Sequence, residues 1–183
     1  MESLFGLLGQ LFEAILSVIP RLVIVRATHK AVKWRHGKTP IAVNSGLTMY
    51  WPLVTEIDQQ VVARQVINLP TQHLCTSDDV PVAVGGFVVY TIKDIVLAIG
   101  EKNFDVDDTV SDLARASLVE EITSLTYEDL REGLSGGRDS DLYESLTQNL
   151  HEQLAEFGVA VERAGLIEFA KCRVIRLLQS MDG

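Results

Sequence analysis

From Leu4 to Ile19 the chain carries a single charge, Glu13, and from Arg21 to Lys38 it carries six bases and no acid. A run so apolar is costly to leave in water, so the fold must give it lipid, a core or a neighbouring subunit to lie against. The bases are Arg21, Arg26, Lys30, Lys33, Arg35 and Lys38. The remainder has the opposite character: residues 39–183 hold 10 of the 16 bases and 23 of the 25 acids, a net −13 within a total of −9. An acidic body is repelled by anionic lipid and by nucleic acid, whereas a base close to an anionic bilayer gains roughly 1 kcal/mol. The six bases therefore read as a lipid-headgroup contact, and the greasy segment beside them argues against nucleic acid.

Written on a helix, Ser3, Gly6, Gln10, Glu13 and Ser17 share one narrow face. Leu4, Phe5, Leu8, Leu11, Phe12, Ile15, Leu16 and Ile19 belong to the apolar remainder and are the expected membrane anchor. Sixteen residues at about 1.5 Å each reach about 24 Å, short of a hydrocarbon core of roughly 30 Å, and Pro20 discourages extension. Residues 1–20 are thus expected to be a shallow or re-entrant anchor helix. A cleaved signal peptide fits less well, because Glu2 stands where positive charge belongs and no small-x-small site follows. A buried core helix, and a helix packing its polar stripe against identical copies, are the other two readings.

With 183 residues and 47% apolar composition, the chain can bury one substantial core or two small ones sharing an interface. Cys75 and Cys172 lie far apart with no secretory signal, which points to reduced thiols. His29, His36, His73 and His151 show no short ligand spacing, so neither metal nor cofactor is expected. His29 and His36 stand among the bases, where protonation would add to the attraction for acidic lipid.

After the bases the pattern is β, then α. Leu22–Arg26 and Lys30–Arg35 read as paired strands with His36, Gly37 and Lys38 as a turn, and Val61–Leu69 reads as a third strand. The clearest strand is Val80–Ile92, where Gly85 and Gly86 suggest a bulge or a close backbone approach. Thr76 to Asp79 is a polar turn leading into it, and Pro81 gives up a ladder donor at the strand's start, where that is tolerated. Tyr50 and Trp51 are read as core residues in preference to headgroup-level aromatics.

Helix signals follow. Asp94–Gly100 reads as a short helix, and Thr109 with Asp112 as a capping box opening a helix whose Val110, Leu113, Ala114, Leu118 and Ile122 share a face. Thr126 with Asp129 opens another. Asp141 with Glu144 opens a third, along which Leu142, Leu146, Leu150 and Leu154 repeat until Gly158. A last strand runs from Val159 toward Phe169.

Several phrases, in this order, resemble the stomatin, prohibitin and flotillin superfamily, the SPFH or band 7 domain, over about residues 21–169. They are Gly46-Leu47 followed by Tyr50-Trp51-Pro52-Leu53, Leu69-Pro70-Thr71-Gln72, Thr76-Ser77-Asp78-Asp79-Val80-Pro81-Val82, Tyr90-Thr91-Ile92-Lys93-Asp94 and Glu156-Phe157-Gly158-Val159-Ala160-Val161. The resemblance implies an α+β fold: a β-rich subdomain over 21–93, then an α/β subdomain of helices and a closing strand over 94–169, preceded by the apolar N-terminal helix. It implies a non-enzymatic scaffold held on the bilayer through its N-terminal hydrophobic segment; with the six bases, the expectation is an anionic lipid bilayer with the domain on its cytoplasmic side. Copies would assemble side by side into a homo-oligomeric ring that organises a membrane patch or regulates a membrane protease or other membrane-protein client. Residues 170–183 form a short tail where the family continues into a long coiled coil, so assembly is expected to use lateral domain contacts. The alternative reading is a soluble oligomeric adaptor whose N-terminal helix packs against a neighbouring subunit or partner.

Catalytic signals are weak. Gly133-Leu134-Ser135-Gly136-Gly137 has the letters of a nucleophile elbow, but that motif needs a strand before the serine, and here the expected element is an interhelical loop. Asp105, Asp107, Asp108 and Asp112 resemble part of a calcium loop without its sixth-position Gly and closing Glu, and read as a solvated acidic turn and helix N-terminus. No catalytic residue is expected.

Overall fold

The computed structural model describes residues 19–100, 105–136 and 140–172. The expected anchor from Leu4 to Leu16, and the tail beyond Cys172, lie outside the described residues; Ile19 alone of the anchor set is described, and it is half exposed. The described residues form eight strands and four helices, β-rich first, then helical, closed by a strand. They divide into two compact units, one of residues 19–64, 91–100, 105–106 and 157–159, the other of 65–90, 107–136, 140–156 and 160–172.

In the first unit β1 (Arg21–Val25) pairs antiparallel with β4 (Gly46–Tyr50) as a separate two-stranded sheet. β2 (His29–Arg35) is the centre of a second sheet, between β3 (Thr39–Val43) and β5 (Thr55–Val61). The expected pairing of the first two strands is therefore corrected. Both edges of β2 are taken, and its Ala31 and Val32 are fully buried on opposite faces, as suits a central strand. The expected turn at His36–Lys38 does stand between β2 and β3, with positive φ at His36 and Gly37 and Lys38 N donating to Arg35 O. Two successive positive-φ residues thus turn a three-residue loop between the paired Arg35 and Thr39. The strand expected over Val61–Leu69 is broken at Val62–Arg64, because Val62 N and Ala63 N leave the ladder to donate to Thr28 O.

A short helix, α1 (Ile95–Ala98), packs on β2 and β3. It starts as expected, with the Asp94 carboxylate accepting from Val96 N and Leu97 N. The Gly158 carbonyl accepts from Lys93 N and Asp94 N. Gly158 itself has φ +71°, and a Cβ there would sit 2.5 Å from Asp94 O, so both backbone angle and space require glycine.

In the second unit the sheet order is β6 (Gln65–Cys75), β7 (Pro81–Ile92), β8 (Val159–Lys171). Along β6 and β7, Leu69 faces Gly86 and Gln72 faces Val84, so Pro70 and Thr71 stand against Gly85 alone. The bulge is thus on β6, where Pro70 lacks the N–H a ladder would need. Gly86 is the close approach: a Cβ would lie 2.9 Å from Gly165 O.

The helices are α2 (Val106–Ser124), α3 (Tyr127–Ser135) and α4 (Asp141–Ala155). α2 begins three residues before the expected Thr109, because Asp107 and Asp108 complement the positive helix end within the first turn. Its Val110, Ala114, Leu118 and Ile122 are buried, with Leu130, Leu146, Leu150 and Leu154 from the other two helices and Val82, Val84 and Val88 from β7. The capping box at Thr126 and Asp129 forms as expected. Ser140, not Asp141, takes the N-cap position of α4.

Candidate functional site

The six bases are dispersed by the strands that carry them. Arg21 starts β1 opposite Tyr50, Arg26 follows β1, and Arg35 and Lys38 flank the β2–β3 turn; all four are exposed. Lys30 and Lys33 are half-buried on β2, and strand alternation puts Lys30 on the opposite face from Lys33 and Arg35. The Lys33 ammonium donates to Met49 O at 3.0 Å. The turn after β4 is bound to the β2–β3 tip, with His36 N donating to Val54 O at 2.9 Å, and Val54 N and Thr55 N donating to Trp51 O.

One side of the β1–β4 sheet was not singled out from the sequence. Leu22 faces Met49 and Ile24 faces Leu47 across the pair. Their exposures are 65%, 52%, 72% and 67% in that order, and Trp51 and Leu53 beyond the strand stand at 51% and 65%. Trp51 is therefore not the core residue it was expected to be; Tyr50 beside it is half-buried. The signal for this surface is the two-residue spacing of Leu22 with Ile24 and of Leu47 with Met49. It is concealed in β1 because Val23 and Val25 make the strand apolar throughout after Arg21.

Elsewhere the residues have structural partners. Ser135 lies in the last turn of α3, not in the expected loop, and its hydroxyl donates to Glu132 O. Gly133 to Ser135 can continue the helix because nothing local breaks it before the C-cap at Gly136. A helix stands where an elbow needs a strand. Asp107 accepts from the Tyr90 hydroxyl. Among the described residues no group of three or more His, Cys, Asp or Glu could hold a metal ion. Both thiols are free, Cys172 Sγ standing 3.8 Å from His73 Nδ1. Among the described residues no helix is long and apolar enough to cross a membrane.

The two-unit α+β arrangement, with strands leading and β8 closing, accompanies a match to the SPFH domain / Band 7 family over residues 23–170. The chain belongs to that family, whose members are generally non-enzymatic, membrane-associated scaffolds. No curated protein matches the chain.

Proposed function

We propose that this chain is a non-enzymatic scaffold held on the cytoplasmic face of an anionic membrane, where it oligomerises laterally through its SPFH domain to organise a membrane patch or regulate membrane proteins. The observation that supports this most is the tip of β2–β3. Arg35, His36, Gly37 and Lys38 are all exposed on a tight turn, in a stretch without acids, in a chain of net charge −9. In this reading the apolar stretch from Leu4 to Ile19 supplies the greasy attachment and the bases set the preference for anionic headgroups.

The test is partition of the full chain onto vesicles of phosphatidylcholine with and without phosphatidylserine. Replacing Arg26, Arg35 and Lys38 by Gln removes three charges at roughly 1 kcal/mol each, so binding to the anionic vesicles should weaken about a hundredfold at low salt and much less at high salt. Equal binding to both vesicle types, or an unaffected variant, contradicts the reading. Mass measurement of detergent-extracted protein should show a multi-copy particle, and a monomer contradicts lateral assembly.

A further inference from the structure

We infer that the folded body itself enters the lipid, through the outward side of the β1–β4 sheet and the turn that follows, independently of the apolar stretch before Pro20. The inference rests on the membrane reading above and adds a second insertion surface to it.

The alternation of this sheet is inverted. Val23, Val25, Thr48 and Tyr50 occupy the more covered side, Val25 being 2% exposed, while Leu22, Ile24, Leu47 and Met49 stand outward as cross-strand pairs. A sheet with one side in water carries its polar residues there, and this one carries only large apolar side chains. A two-stranded sheet is also marginal by itself, so a covering phase contributes to its stability. The row continues at the same two-residue spacing into Trp51, and Leu53 and Val54 extend it around the turn. Because His36 N is bonded to Val54 O, this apolar turn is fixed to the cationic tip carrying Arg35 and Lys38.

An apolar row with an indole at its end and cations at its margin fits an anionic bilayer interface, where side chains dip about 5–10 Å and tryptophan and basic groups sit at headgroup level. A second copy of this chain is the weaker occupant. Face-to-face pairing would set Arg35 and Lys38 of one copy against those of the other, and the one acid lining the same turn, Glu56, does not offset both.

The chain has two tryptophans, so Trp34→Phe leaves Trp51 as the only indole in an otherwise full-length protein. With anionic vesicles containing lipids brominated in the upper acyl chain, Trp51 fluorescence should be strongly quenched. Ile24→Ser with Leu47→Ser should abolish that quenching and lower partition about a hundredfold, about tenfold per side chain. Both positions are mostly exposed, so these changes spare the core; should the double variant misfold, quenching of Trp51 in the parent still decides. Vesicle binding with Trp51 unquenched overturns this inference and leaves the membrane reading standing. A solution dimer that shields Trp51 from lipid also overturns it. Failure of the full chain to bind anionic vesicles removes the membrane reading instead.

Discussion

Asp78 shows how much a single side chain organises. Its carboxylate accepts from the Thr76 hydroxyl and from Tyr127 N at 3.1 Å, fastening the turn before β7 to the first residue of α3. The Thr76 hydrogen bond, ahead of the Tyr127 amide and the Lys171 charge, holds the Asp78 carboxyl below its ordinary 3.8. A group whose folded pKa is depressed stabilises the fold above its ordinary value, and that contribution is lost as pH falls through the lowered one. Asp78→Asn should therefore lower Tm at pH 7, with the gap from wild type closing in melts taken progressively below pH 3.8. A gap that is the same in acid and at neutrality would contradict a role for the charge. The polar turn from Thr76 to Asp79 was legible as a device for delivering β7. Its bond to Tyr127, 49 residues away, was not, because nothing local in a turn specifies a distant amide.

At the level of elements, legibility followed periodicity. Leu142, Leu146, Leu150 and Leu154 repeat every four residues, which fixes a helix and its buried side before any partner is known. The Thr126–Asp129 box is equally local, since both of its hydrogen bonds lie within one turn. Thr126→Ala should cost about 1 kcal/mol in urea unfolding. An unchanged midpoint would mean that Asp78 alone orders the start of α3. Strand partnership was the illegible part. A two-residue alternation tells which side of a strand is covered but not by which strand, so sequence proximity suggests β2 as the partner of β1 where the fold pairs it with β4. The same ambiguity hid the outward row: Leu22 to Val25 is apolar throughout, so no alternation marks its covered side, although Ile24 is 72% exposed. β3 and β4 are only five residues long, and β3 contains Pro40, which weakens any strand signal.

For the whole molecule, the decisive contrast is between a body of residues 39–183 at −13 and a stretch from Arg21 to Lys38 without acids. Charge of this kind does not determine a fold; it determines which surface tolerates an anionic neighbour. The six bases were legible as a group because they are contiguous in sequence. The division of Lys30 from Lys33 and Arg35 between the two faces of β2 was not, since it depends on strand alternation in the folded sheet. The proposed lipid-facing surface combines what the sequence displays, the cations, with what only the fold exposes, the row from Leu22 to Leu53. Hydrogen exchange of the full chain with and without anionic vesicles tests that combination most directly. Lipid should slow exchange at Arg21–Val25, Gly46–Tyr50, the turn through Val54 and the tip at His36–Lys38, and leave α2, α3 and α4 unchanged. Protection confined to the residues before Pro20, or centred on the helices, would contradict it.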